Sequence, residues 1–182
     1  MDENRLGGDA GDPGRPIDEL CDLIVARHHA YLHRALPLIR AELARMADAD
    51  GAPAGTVAGT RDAFELLAQS VQAHLAKEEN LLFPALEALA EADREGRARP
   101  ALAFPTVLHP IRVMEAEHAR IEAALDRLQG MTHAFTASDG ASERWRHCLA
   151  DLSRLDADLR EHHRTENEVL FPRALELERR LP

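Results

Sequence analysis

The chain has 182 residues, a formal charge of −10 and aromatic residues at only 4%. That length suits one domain with a sizeable core, and the acidic balance argues against nucleic acid and anionic membranes as main partners. Ala, Leu, Glu and Arg dominate and β-branched residues are few, so the composition predicts an all-α fold. No stretch approaches a transmembrane span. The acidic, Gly-rich N-terminus lacks the apolar centre of a signal peptide, and a cytoplasmic location is expected. Cys21 and Cys148 lie far apart in sequence and read as reduced, helix-buried thiols.

In chain order, residues 1–15 show no apolar period and read as a disordered tail, leaving 16–182 as the folded domain. A first helix is expected from Pro16, which suits an opening turn, to about Asp48. Residues 48–60, DADGAPAGTVAGT, read as a loop from their Gly and Pro. A second helix is expected from about Arg61 to Glu95, and a Pro-containing connection, GRARPALAFPTVLHP, follows it. The third helix is expected from about Pro110 to His133. The fourth runs from an N-cap at Ser142 to the end of the chain. Pro84 and Pro172 fall inside the second and fourth helices and should kink or locally break them.

An internal repeat organises this layout. Residues 74–84, HLAKEENLLFP, and 162–172, HHRTENEVLFP, both fit H-x3-E-x3-L-F-P at an offset of 88. His29 precedes His74 by 45 residues and His118 precedes His162 by 44. Two similar αα-hairpins close naturally into an antiparallel, up-and-down four-helix bundle.

An alternating 3–4 spacing marks the inward seam of each helix. It runs through Val25, His29, Leu32, Leu36, Ile39 and Leu43, then through Phe64, Leu67, Val71, His74, Glu78 and Leu81. The third helix offers Ile111, Met114, His118, Ile121 and Leu125. The fourth offers Leu152, Leu155, Leu159, His162, Glu166 and Val169. Each seam is apolar except at one His or one His/Glu pair. Six such groups buried bare would be expensive, and a metal compensates them. His and Glu at i and i+4 share a helix face. Four imidazoles with two carboxylates therefore suit two metals bridged by the carboxylates, with iron favoured over manganese and zinc by the thiolate-free donor set. An oxo or hydroxo bridge would add a fifth ligand to each iron and leave one position for dioxygen or nitric oxide. His28 and His163 lie one step off the seam and are expected to point away from it. His33, Glu79 and Glu117 are read as outer-layer or surface groups, and Glu122 as a less favoured third carboxylate. His109, His133 and His147 lack partner spacing.

The stretches LIVARHHAYLHRALPLI, HLAKEENLLFPAL, IRVMEAEHARIEAAL and EHHRTENEVLFPRAL resemble the hemerythrin-like, or HHE, cation-binding domain over about residues 17–180. Within that group the chain is most similar to the repair-of-iron-centres proteins. Oxygen-carrying hemerythrins are less symmetric, with an additional His and a terminal Asp. The resemblance implies a di-iron centre held by His29, His74, His118 and His162, with Glu78 and Glu166 bridging. It also implies a role in iron–sulfur cluster repair or iron donation under nitrosative or oxidative stress, with iron–sulfur proteins as clients. The alternative is a module that binds or senses dioxygen or nitric oxide without turnover. A metal-free scaffold is disfavoured by the polar seam. Members of the repair group often begin with a short cysteine-bearing domain; here a Gly/Asp-rich tail stands in that place.

Overall fold

The computed structural model describes residues 14–46, 52 and 55–182. The expected tail falls almost wholly outside the described residues, as do residues 48–51, 53 and 54 of the expected first loop. Among the described residues there are four long helices and no strand. Helix α1 runs through Ile17–Ile24, a π-helical turn Val25–His29, and Ala30–Arg45. Helix α2 runs through Thr56–Lys77, a second π turn Glu78–Leu82, and Phe83–Arg94. Helix α3, Leu108–Met131, is uninterrupted. Helix α4 runs through Glu143–Thr165, a third π turn Glu166–Leu170, and Phe171–Arg180.

The boundaries follow local chemistry. Ser142 caps α4, its hydroxyl accepting from the Trp145 N–H at 3.1 Å. Helix α2 begins at Thr56, inside the segment read as loop: Gly55, at φ 77°, takes the turn and the chain is helical from there. Pro84 and Pro172 each stand second in the α-helical segment that follows a π turn. In those turns the Phe83 and Phe171 N–H groups reach back five residues, to the Glu78 and Glu166 carbonyls. The α-helical ladder is interrupted there, so a proline with no N–H is accommodated within a continuous helix. Pro37 lies inside α1, a position the sequence reading passed over.

The helices are antiparallel: the early part of α1 packs on the late part of α2, and Ala30–Arg45 packs on Thr56–Lys77 and on Glu143–Thr165. The connection between α2 and α3 is held down by Glu178, which accepts from the Arg99 guanidinium at 2.6 Å and the Val107 N–H at 3.1 Å.

Two apolar clusters fill the bundle. One includes Leu32, Leu36, Leu43, Phe64, Leu67, Leu125, Trp145 and Leu155. The other includes Leu20, Ile24, Leu82, Phe83, Leu86, Ile111, Leu170 and Phe171. Cys148 belongs to the first and Cys21 to the second, both as free thiols. Burial pushes the Cys148 thiol up to about 12, which keeps it protonated and inert.

The expected seam holds in the first cluster and along α3, and slips by one residue where α1, α2 and α4 enter the second. Val25 is 36% exposed and Leu81 43% exposed, while their neighbours Ile24 and Leu82 are buried. Val169 is likewise only partly buried and Leu170 wholly so. A π turn holds one residue more than the α-helical turn it replaces, which rotates everything beyond it by about 100°. The strict heptad is therefore out of phase on the far side of each π turn.

Candidate metal centre

A polar layer separates the two apolar clusters. His28, His29, His74, Glu78, His118, His162, His163 and Glu166 are all buried, none more than 1% exposed. The three π turns touch this layer. The first ends on His29, and the others begin on Glu78 and Glu166.

The structure brings the six residues singled out by the repeat to two adjacent points. At one, His29 Nε2 and His162 Nε2 lie 3.3 Å apart. Glu78 Oε2 is 3.4 Å from the first and Glu166 Oε1 is 3.1 Å from the second. At the other, His74 Nε2 and His118 Nε2 lie 3.1 Å apart. Glu78 Oε1 is 3.3 Å from His74 and Glu166 Oε2 is 3.2 Å from His118. Each carboxylate thus turns one oxygen to each point, and both groups of four are compact enough to hold an ion. Below, the His29/His162 point is position A and the His74/His118 point position B.

The hydrogen atoms explain why a cation belongs there. His29 Nδ1 donates to Glu79 Oε1 at 2.9 Å, His74 Nδ1 to Glu117 Oε2 at 3.3 Å, and His118 Nδ1 to Asn167 Oδ1 at 3.0 Å. A carboxylate or amide oxygen requires a protonated Nδ1, which leaves Nε2 of a neutral ring as a bare lone pair. At position B two such lone pairs face each other. All four oxygens of Glu78 and Glu166 are buried without a hydrogen-bond partner. Lone pairs and carboxylate oxygens converging in a dry layer repel one another unless protons or a metal ion lie between them, and a metal ion satisfies all of them at once. The outer contacts are those that orient metal-bound imidazoles.

These outer groups extend to the surface. Glu79 also accepts from the exposed His33 at 3.0 Å, and Glu117 pairs with Lys77. Burial works to raise both carboxyls, but hydrogen bonds from His33 and His29, and from Lys77 and His74, hold them below the usual range. Asn167 was missed by sequence reasoning, although the repeat carries the signal. Asn167 aligns with Glu79, and it holds His118 as Glu79 holds His29. His28 and His163 do not point away from the layer. His28 stacks on His162 and His163 on His118, with Nδ1 atoms on Asp158 at 2.9 Å and Glu122 at 3.2 Å. Glu122 therefore reaches His163 and belongs to neither group of four. His109, His133 and His147 are exposed.

The metal-free layer has a definite pH response. Burial, with help from neighbouring imidazoles, lowers His29 and His74 to about 4 and His163 to about 2. Between about pH 6.5 and 4 the unfolded chain takes up protons at these positions that the folded chain refuses. Glu78 opposes this, since burial and the adjacent Glu166 raise its carboxyl well above the ordinary value. Burial also works to raise Glu166, but His162 and His118 hold it well below. Three imidazoles outweigh one carboxyl, so the metal-free protein is expected to lose stability as pH falls through this window. Thermal melts of metal-free protein from pH 7 to 4.5 check the sign; a melting temperature that rises on acidification contradicts it.

The fold and site define a four-helix bundle with a buried His/Glu layer suited to two metal ions. Residues 23–174 match the family model described as the hemerythrin HHE cation binding domain, and the chain belongs to that family. It is 34% identical over 160 residues to the iron-sulfur cluster repair protein YtfE of Edwardsiella ictaluri (strain 93-146), covering 88% of this chain and 66% of that protein. It is 32% identical over 165 residues to the YtfE protein of Yersinia pseudotuberculosis serotype O:1b (strain IP 31758), and 28% identical over 161 residues to that of Yersinia pestis (strain Pestoides F), in both cases covering 88% of this chain and 67% of the relative. The chain thus spans about two thirds of the length of these relatives. Among the described residues no helix is long and apolar enough to cross a membrane.

Proposed function

We propose that this chain is a non-haem di-iron protein that supplies iron for the repair of iron–sulfur clusters. The observation that carries the metal reading is the pair of imidazole dyads sharing Glu78 and Glu166, each carboxylate turned to both positions. Four nitrogens and four carboxylate oxygens without thiolate suit iron. The likeness to proteins named for cluster repair supports the role. His29 and His162 would hold one ion, His74 and His118 the other, with Glu78 and Glu166 bridging. Bound iron supplies Lewis-acid and one-electron redox chemistry. The chain's own residues keep the ions dry between two apolar clusters and orient the rings through Glu79, Glu117 and Asn167. A second reading draws on the small donor set at each position, where two rings and two carboxylate oxygens leave coordination room for dioxygen or nitric oxide.

The test is iron transfer. Protein loaded with ferric iron, mixed anaerobically with the apo form of a [2Fe–2S] protein and sulfide, is expected to restore the client's visible cluster absorbance. The His74→Ala/His162→Ala double variant, treated identically, should not. Iron that stays on the chain while the client remains apo would rule out donation.

A further inference from the structure

Among the described residues, the outer side chains that hold a ring of either group of four are Glu79 on His29, Glu117 on His74 and Asn167 on His118. Glu122 and Asp158 hold His163 and His28 instead, which belong to neither group. The three outer groups differ in what they offer a cation arriving from water. The Asn167 amide carries no charge to draw one in. The Glu117 side chain is 16% exposed and already paired with the Lys77 ammonium, which repels a second cation. The Glu79 side chain is 32% exposed, and its outward partner is the imidazole of His33, 53% exposed. His33 follows His29 by four residues, one turn along the same face of α1. His29 Nδ1 and His33 Nε2 both donate to Glu79 Oε1, at 2.9 and 3.0 Å. Oε2 takes part in neither bond.

We propose that Glu79 and His33 form a capture site for divalent cations at the surface, and that metal passes between α1 and α2 through it. Imidazole and carboxylate are both ligands that suit iron. The His33 ring gives up its Nε2 hydrogen, to Nδ1 or to water, and its lone pair then joins a Glu79 oxygen on the incoming ion in place of two waters. The same carboxylate touches His29, so the captured ion stands one side chain away from the layer. Two donors hold it here, whereas each position in the layer offers four, and the ion moves inward. On release the same pair receives it first. His33 and Glu79 therefore govern how fast metal enters and leaves, and leave the number of ions held in the layer unchanged. This inference rests on the reading of the layer as a metal centre.

Two measurements test it. In stopped-flow mixing of metal-free protein with excess Co(II), His33→Gln should take up metal about tenfold more slowly than the native chain. It should still reach the native Co(II) content and visible spectrum. Gln keeps an N–H for Glu79 but lacks the ring nitrogen's lone pair, so a merely structural partner would be replaced without loss of rate. Lys77→Gln should not slow uptake. The second measurement needs no variant. In native protein whose layer is filled with zinc, traces of Co(II) should broaden the NMR signals of the His33 ring before those of His109, His133 and His147, which are also exposed. Native uptake rates in His33→Gln, a lower final content in that variant, equal slowing in Lys77→Gln, or equal broadening at all four rings overturn the proposal and leave the metal centre standing. Native protein that takes up no Co(II) overturns the metal reading of the layer, and this inference with it.

Discussion

Glu78→Ala is expected to empty both metal positions, whereas His29→Ala should empty only one. Glu78 turns Oε2 toward His29, at 3.4 Å, and Oε1 toward His74, at 3.3 Å. Removing it takes a ligand from each position and also removes an anion that offsets the charge of two cations. His29 contributes to one position only, through Nε2. Elemental analysis after loading and desalting should find Glu78→Ala near background and His29→Ala with about one metal. The two variants should also differ when metal-free. Glu78 is fully buried, has no hydrogen-bond partner for either oxygen and lies against Glu166. Deleting such a group relieves a strained layer, so metal-free Glu78→Ala should melt no lower than metal-free native protein. Glu78→Ala that retains one tightly bound metal would show that this carboxylate does not bridge.

Loading metal should raise the melting temperature on the order of 10 °C. A ligand that binds only the folded state stabilises it by about 4 kcal/mol at a thousand times its dissociation constant. In a domain of this size each kcal/mol moves the midpoint by about 2–4 °C. The effect should be large here because the unloaded layer holds unpaired carboxylate oxygens, opposed lone pairs and buried imidazoles in the middle of the core. Metal turns each of them into a bonded ligand. Anaerobic melts followed by helical circular dichroism, with and without saturating ferrous iron, give the comparison. Equal midpoints at full loading would mean that the ions bind outside the core.

The six residues at the two positions were legible because the chain states its pattern twice. A single His-x3-Glu on a helix is commonplace, but a second copy inside H-x3-E-x3-L-F-P, each matched by an upstream His, is hard to read as surface charge. What escaped was rotational phase. A strict 3–4 spacing carried through His29, Glu78 and Glu166 exposes Ile24, Leu82 and Leu170, which the structure buries, and buries Val25 and Leu81, which it exposes. Hydrophobic periodicity assumes a fixed number of residues per turn, and the π turns break that assumption next to the buried His/Glu layer. The same assumption turned His28 and His163 outward, although they lie inside the layer. Pro84 and Pro172 were expected to kink or break their helices, whereas the structure carries each helix on through the proline, just past a π turn. Their link to a π turn five residues long was not visible from composition. The start of α2 at Thr56 was hidden for another reason: TVAGT has loop-like composition, yet Val57 and Thr60 are buried in the bundle.

Because the polar layer is sandwiched between apolar clusters, traffic to it must run sideways. An ion travelling along the bundle axis would have to shed its water inside Leu- and Phe-rich packing, at a high cost. Between the helices, at the level of the layer, the path is different. Glu79 with His33, Glu117 with Lys77, Glu122 and Asp158 form a girdle that links the buried rings to solvent. A hydrated cation arriving at this girdle can exchange water for carboxylate oxygen one ligand at a time. The poles of the bundle are thereby released from any part in the exchange. Sequence drift or added chain at either pole leaves the gateway untouched, whereas a charge reversal at the equator, far from the bundle ends, falls directly in the ion's way.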